Sequence, residues 1–333
     1  MAFGARGQAG ADGRDRIGVR VLVTGAAGFV GSNVVHEAAT RDIDVVGVVR
    51  SPPPLPDPHA TYVVVDLLDA DGTRGAVRGA RPDAIVHTAI LNDLTRLYAD
   101  RRLAWRSYVG VTRTLADAAN EVGAQLLTVS TDWVFDGLQG GYDEEAPPNP
   151  VNLYGVLKAM SELVTLERAR LATIARIAGV MGTHRARRDL PRRQDAGFGY
   201  FVAALVDALE RGQPFTVWES DAINMRATPS LASRSARLML TLCERRLTGV
   251  HHCVGGEATS RMELARAAAR VFGLDAALLR SGRPDAEALP PAPVPYDTSL
   301  AARATAARLG TSLPSVRELL ELYRTERAAG SAG

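Results

Sequence analysis

VRVLVTGAAGFVGS, residues 19–32, joins an aliphatic run to a glycine-spaced turn and then to a stretch of helical period. Gly25, Gly28 and Gly31 form a G-x-x-G-x-x-G pattern directly after the aliphatic run. In that context each glycine has a task. Gly25 permits a tight turn, Gly28 lets a pyrophosphate approach the backbone, and Gly31 allows close packing of helix on strand. Free N–H groups and the helix dipole then hold the phosphates. With Ala27, Phe29 and Val30, these glycines make up the candidate dinucleotide cradle. A tight turn without a ligand is the alternative.

Aliphatic runs and helix-length segments continue to alternate through DVVGVVR (44–50), TYVVVDL (61–67), AIVHTAI (84–90) and QLLTVST (125–131). Unbroken Val, Ile and Leu mark strands buried on both faces, and the segments between them (32–41, 70–80, 95–122) supply right-handed helical crossovers. The pattern predicts an α/β fold. A Rossmann-type doubly wound parallel sheet spans 19–182, and a smaller C-terminal substrate-binding lobe spans 183–328 with some return to the sheet. SPPPLPDPH (51–59) cannot be helical, because proline lacks an N–H and restricts its predecessor, so an extended loop interrupts the second crossover. APPNP (146–150) is a second break, just before a helix. Past 182, helices are predicted over 197–211, 231–245, 260–272 and 314–328, with strands over 215–218 and 249–254. Residues 1–18 carry no apolar period and are expected to be a disordered extension, with 329–333 a short tail.

The 39 basic and 37 acidic side chains leave a formal charge of only +2, which argues against nucleic acid or an anionic membrane as the main partner. The basic run RARRDLPRR (185–193) reads as a solvated loop, with anionic substrate groups as the alternative. Cys243 and Cys253 do not make a disulfide framework or a metal spacing, and VHHCV around His251 and His252 reads as a strand, so no metal is expected. No apolar stretch approaches the about 20 residues that cross a bilayer, and the N-terminus lacks the apolar core of a signal peptide. The cytoplasm is the expected location.

Residues 45–50 read VVGVVR, without the carboxylate that an NAD site offers to the adenosine ribose. Arg50 stands there instead, and its guanidinium suits a 2′-phosphate, which favours NADP(H). Asp66 either accepts from the adenine amino group or caps the next helix. Tyr154 and Lys158 are four apart in NLYGVLKAMSE and share one helical face. A nearby ammonium stabilises a phenolate and brings a phenol toward working range as an acid or base. Thr131, at the carboxyl end of the fifth strand, can polarise a substrate carbonyl.

These residues give the chain its resemblance to the extended short-chain dehydrogenase/reductases, and among them to the dTDP-4-dehydrorhamnose reductase group. TGAAGFVGS, RPDAIVHTAI, LLTVSTDWVFDG, PVNLYGVLKAMSE and RIAGVMG (176–182) carry it, STDWVFDG most specifically. The resemblance implies a catalytic triad of Thr131, Tyr154 and Lys158, with Asp132 and Trp133 lining a sugar site. It also implies that Ala89, flanked by Thr88 and Ile90, lies beside the nicotinamide, as does the stretch from Arg176 to Val180, which holds Ile177. Leu67 and Lys158 complete the implied cofactor contacts, and Arg226 is a candidate for a substrate diphosphate. The implied activity is transfer of hydride from NADPH to the 4-keto group of a nucleotide-activated deoxysugar or related secondary metabolite, with Tyr154 as general acid. A sugar-nucleotide epimerase is the nearer rival, since a dehydratase needs an Asp-Glu pair where this chain has Asp132 and Trp133. A non-catalytic NADP-binding subunit, as in the regulatory subunit of methionine adenosyltransferase, is the other alternative. The resemblance further implies a homodimer through helices near 92–120 and 150–170.

The chain departs from the group at several points. Tyr108 stands where an asparagine is common, so the helix kink associated with that asparagine is not carried over. His87, Thr88 and Ile90 replace a small-residue triplet, and INMRATPSLA (223–232) matches only loosely.

Overall fold

The computed structural model describes residues 18–91, 93–188 and 194–331. The expected extension up to residue 17, residues 189–193 of the basic run and the last two residues lie outside them. Six parallel strands come first: β1 (Arg20–Thr24), β2 (Asp44–Val49), β3 (Ala60–Val64), β4 (Ala84–His87), β5 (Gln125–Thr131) and β6 (Ala172–Ile177). Short strands β7 (Val180–Met181), β8 (Phe215–Trp218), β9 (Arg226–Ala227) and β10 (Ser230–Leu231) precede β11 (Gly249–His252), and β12 (Thr259–Ser260) and β13 (Leu279–Gly282) follow it.

The main sheet runs β11-β6-β5-β4-β1-β2-β3. The chain enters at β1, moves outward through β2 and β3, and restarts at β4 on the other side, which opens a crevice at the carboxyl ends of β1 and β4. Val21, Leu22 and Val23 of β1 and Leu126 and Leu127 of β5 are fully buried, as strands covered on both faces require. The helices that follow are α1 (Phe29–Thr40), α2 (Ala70–Ala80), α3 (Leu94–Ala99), α4 (Arg101–Trp105), α5 (Val111–Val122) and α6 (Leu153–Arg168). In the C-terminal half come α7 (Phe201–Glu210), α8 (Ala232–Glu244), α9 (Arg261–Phe272), α10 (Arg303–Leu309) and α11 (Val316–Ser331). One sheet face packs against α1 and α8 through Val34, Ala38, Met239 and Leu240. The other packs against α2 and α5 through Val77, Leu115 and Ala119.

The chain past 182 is shared between two layers. β11 pairs with β6 in the main sheet and α8 packs on α1. The lobe proper is a separate core of α7, α9 and α11, built from Phe201, Leu205, Leu264, Leu320 and Tyr323.

Several local expectations change. The single helix expected over 95–122 is divided, because the Asp100 side chain accepts from Leu103 N and starts α4 afresh, and residues Arg106–Gly110 form a π-helical turn before α5. No helix links β2 to β3, and the proline loop packs instead against the 183–186 segment, with Leu55 N donating to Ala186 O at 3.2 Å. β3 ends at Val64 and β4 at His87, which leaves Asp66 and Thr88–Ile90 in the loops beyond the strand ends. Cys243 and Cys253 are buried free thiols. Among the described residues no helix is long and apolar enough to cross a membrane.

Candidate active site

The crevice is set by backbone proximity. Gly25 has φ +68°, and a Cβ there would lie 2.8 Å from the Ala89 backbone. A Cβ on Gly31 would run into the Gly25 carbonyl and come within 2.7 Å of Thr88 Oγ1. These two glycines bring β1, α1 and the loop after β4 into contact, and Thr88 Oγ1 fastens the join by donating to Thr24 O at 2.7 Å. Gly28 is different, since a Cβ on it would meet only the Gly25 oxygen, at 3.1 Å. It caps α1 with no side-chain hydrogen bond, and no acid stands in the first turn. That leaves the positive end of α1 suited to an anion. Phe29 packs its ring against Tyr200 at 5.3 Å and His184 at 5.9 Å, tying the turn to the 183–200 segment.

Arg50 is exposed just beyond β2, and no carboxylate stands in β2 after Asp44. Asp66 is exposed and accepts from Leu68 N at 3.0 Å. It does not cap α2. Asp69 does, accepting from Asp71 N and Gly72 N, because it is the residue directly before the helix. Leu67 is half-buried, and Ile177 is buried at the end of β6. The glycine cradle, the uncapped helix end and a guanidinium at the neighbouring strand end fit a phosphorylated dinucleotide.

Thr131 ends β5, and Asn152 starts α6 by accepting from Gly155 N at 2.9 Å. Gly155 lies so close to the Trp133 carbonyl that any Cβ would overlap it, which brings Tyr154 against Trp133. The Tyr154 ring meets Trp133 edge-on at 5.9 Å and Tyr108 edge-on at 6.3 Å. Burial pushes the Tyr154 phenol up to about 12; its hydrogen bond with Thr131 works against this and the Asp132 charge adds to it. The expected ammonium-lowered phenol is not found in this arrangement, because Lys158 is aimed elsewhere. Its Nζ donates to Val129 O at 2.7 Å and lies 5.8 Å from the centre of the Tyr108 ring. Burial brings Lys158 down to about 8, opposed by the charge of Glu162. His87 forms the floor, hydrogen-bonded through Nδ1 to Thr24 Oγ1 at 2.7 Å and pushed down to about 3, chiefly by burial and then by the Lys158 charge. Tyr108 sits inside a π-helical turn and donates to Leu91 O at 3.1 Å.

Asp132 is buried at the end of β5, where it accepts from Thr131 Oγ1 at 2.9 Å and from Thr298. Trp133 is half-buried and touches Gly197 of the lobe, 3.4 Å from the place where a Cβ would stand. Arg226 is partly exposed, 3.7 Å from Asp297. Two groups of residues lay outside the sequence expectations. Thr298 reaches Asp132 from the C-terminal half, and Asn224 donates to Thr298 behind it. The other is the set of partners of Arg176, which begins the stretch expected beside the nicotinamide: its buried side chain forms a bidentate pair with Glu162 at 2.9 and 2.7 Å and continues to His252 at 3.4 Å. Only the four-residue spacing from Lys158 to Glu162 signals this network in the sequence.

A family model described as RmlD substrate binding domain matches residues 19–328. The chain belongs to this family. The chain is similar to the methionine adenosyltransferase 2 subunit beta of Xenopus tropicalis, 28% identical over 272 residues, covering 79% of this chain and 75% of that protein. The dTDP-4-dehydrorhamnose reductase of Streptomyces griseus is 29% identical over 265 residues, covering 78% of this chain and 79% of that protein. The crystal structure of a Bacillus anthracis dTDP-4-dehydrorhamnose reductase in complex with NADP shares the fold, with a TM-score of 0.76 at 22% identity, covering 93% of this chain and 100% of the other.

A folded pKa near 8 against an ordinary 10.5 means that keeping Lys158 charged and buried costs about 3 kcal/mol. The stabilising effect of the depressed pKa is present above 10.5 and is lost as pH falls through about 8. Lys158→Met, close in volume and apolar, should therefore be more stable than the parent at neutral pH, and the gap should narrow as pH rises past 8. Urea denaturation at several pH values checks this; equal stability at pH 7 would contradict it.

Proposed function

We propose that this RmlD-family chain is an NADPH-dependent ketoreductase acting on a nucleotide-activated 4-keto-deoxysugar or a related metabolite. The observation that carries the reading is the meeting of Tyr154, Thr131 and Lys158 at the carboxyl edge of the sheet, beside the glycine turn. Arg50 and the absence of a carboxylate after Asp44 in β2 support NADP(H), as does the NADP in the similar Bacillus anthracis structure. The relationship to the Streptomyces griseus reductase supports a sugar nucleotide. Residues 19–182 would hold the cofactor through Gly25–Gly31, Arg50 and the loop after β4, and residues from 183–328 would close over the substrate.

NADPH bound in this cradle supplies the hydride that reduces the carbonyl carbon. The chain's own residues handle the oxygen. Thr131 donates a hydrogen bond that polarises it, and Tyr154 gives it a proton. A phenol kept neutral by burial is in the right state for an acid, which favours ketone reduction over alcohol oxidation at neutral pH. To offset the phenolate left behind, the Lys158 ammonium would turn toward it from the Val129 carbonyl. Trp133 and Arg226 would contact the sugar and its diphosphate.

A second reading is a non-catalytic NADP-binding subunit. The methionine adenosyltransferase subunit matches favour it, as does Lys158 donating to Val129 O. In either reading the exposed apolar residues Val156, Leu163 and Leu166 on α6 and Trp105 on α4, 39% to 50% exposed, fit a homodimer face. Light scattering should show a dimer, and a monodisperse monomer would remove that part of the proposal.

The test of function is NADPH oxidation by purified protein on a panel of nucleotide 4-keto-6-deoxysugars, with NADH, Tyr154→Phe and Arg50→Ala as controls. Turnover should require NADPH, fall at least about a hundredfold in Tyr154→Phe, and lose its preference for NADPH in Arg50→Ala. Tight NADPH binding with no oxidation on any ketosugar would support the regulatory reading instead.

A further inference from the structure

The hydroxyl chain that ends on Asp132 has an orientation that can be worked out from its donors. The two hydrogens of Asn224 Nδ2 are shared among Pro295 O at 2.9 Å, Thr298 Oγ1 at 3.0 Å, Tyr296 O at 3.2 Å and Arg226 O at 3.4 Å, and because an amide nitrogen only donates, the Thr298 oxygen is the acceptor in its contact. The Thr298 hydrogen is therefore given to Asp132 Oδ2. With Oδ2 engaged, a proton on this carboxyl sits on Oδ1, which faces Thr131 Oγ1 at 2.9 Å. Thr131 has one hydrogen and two takers, Asp132 Oδ1 and the Tyr154 phenol. A carboxylate at 132 draws that hydrogen inward. A carboxylic acid turns it outward, toward Tyr154 and the substrate oxygen.

Thr131, Asp132, Asn224 and Thr298 are all buried, so water does not compete for these hydrogens. Lys158 gives one hydrogen to Val129 O, and the Tyr108 hydroxyl gives its hydrogen to Leu91 O.

We propose that Asp132 is a positioning residue that sets the direction of the Thr131–Tyr154 hydroxyl chain and, when protonated, restores the phenol's proton through Thr131. The inference rests on the reductase reading above. As the product O–H bond forms, the Tyr154 O–H bond breaks. The Thr131 hydrogen then moves to the phenolate, the Asp132 Oδ1 hydrogen moves to the Thr131 oxygen, and Asp132 is left as a carboxylate. No electrons are exchanged in the relay, and between turnovers a solvent proton enters at the hydroxyl of the part-exposed Tyr154, the Tyr154 hydrogen passes to the Thr131 oxygen and the Thr131 hydrogen to Asp132 Oδ1, which restores the acid.

Burial lifts Asp132 to about 6, with the hydrogen bonds from Thr298 and Thr131 working the other way. The other titratable groups around this end of β5 are Tyr154, Lys158 and Glu162 on α6, His87 on β4, Tyr108 in the π-turn, and Asp195, Arg226 and Asp297 of the C-terminal half. Of these, Asp195 also titrates near 6, lifted by burial against the pull of the Arg261 charge. It is the group that must be separated from Asp132.

The experiment measures steady-state and single-turnover ketosugar reduction from pH about 5 to 9 in the parent, Asp132→Asn, Thr298→Val and Asp195→Asn. The parent kcat should fall as pH rises through about 6. Thr298→Val removes a hydrogen bond that favours the carboxylate and should move this fall to higher pH. Asp132→Asn should abolish it and lower steady-state kcat about tenfold, while the first turnover stays within about twofold, because Tyr154 starts protonated and the amide still donates to Thr131. Asp195→Asn should leave the fall in place. A fall that persists in Asp132→Asn, or that disappears in Asp195→Asn, would overturn the proposal. If the parent turns over no ketosugar, the reductase reading fails on its own. Infrared titration then reads Asp132 directly: a protonated-carboxyl band absent from Asp132→Asn, with a midpoint raised in Thr298→Val, supports the assignment, and no such band in the parent overturns it.

Discussion

Two glycines without room for a Cβ hold the crevice together. At Gly25 and Gly31 the end of β1, the start of α1 and the loop after β4 approach to distances that no side chain permits. Thr88 closes the remaining gap by donating to Thr24 O. Because this contact is made of backbone, it fixes where the α1 N-terminus points, and it leaves Gly28 as the least crowded glycine of the three, with only the Gly25 oxygen at 3.1 Å from the place of a Cβ. The crevice at the sheet's switch point follows from that convergence.

The second determinant is the end of β5, where the two halves of the chain meet. Thr131 and Asp132 belong to the sheet, Tyr154 and Lys158 to α6, and Thr298 and Asn224 to the C-terminal half. Burial of this junction has consequences for the chemistry. It keeps the Tyr154 phenol neutral and raises Asp132 toward its acid form, and it lowers Lys158 toward the free amine. Glu162 limits the effect on Lys158 and is itself held by Arg176, whose guanidinium also lies 5.0 Å from the centre of the Phe135 ring. The lobe has a parallel arrangement: Arg261, fully buried between Phe198 and Phe201, donates to Asn224 O and Asp195 O and holds the segment that reaches Trp133.

Much of this was legible in the sequence because it depends on short spacings. Glycines three apart after an aliphatic run, and a tyrosine four before a lysine, describe a turn and a helical face whatever surrounds them. The proline loop after Arg50 was legible for the same reason. Contacts between distant segments were not. Thr298 is 166 residues from Asp132, and His252 is 76 from Arg176, so no local pattern announces either. The direction of Lys158 was also hidden, since sharing a face with Tyr154 does not say whether the ammonium points at the phenol or at the Val129 carbonyl. The π-turn forms with Tyr108 where an asparagine is common in the group, and the Asp69 cap shows how a carboxylate three residues away can take the role expected of Asp66.

The central claim is that this chain transfers hydride to a carbonyl carbon, with Tyr154 supplying the proton. The measurement that tests it most directly uses NADPH deuterated at the transferable C4 position, with the product sugar followed by NMR and mass spectrometry. The account predicts one deuterium at the former carbonyl carbon and one equivalent of NADP⁺ per product. Product without deuterium, an epimer formed with no net NADPH consumption, or bound cofactor that never transfers its label would contradict it.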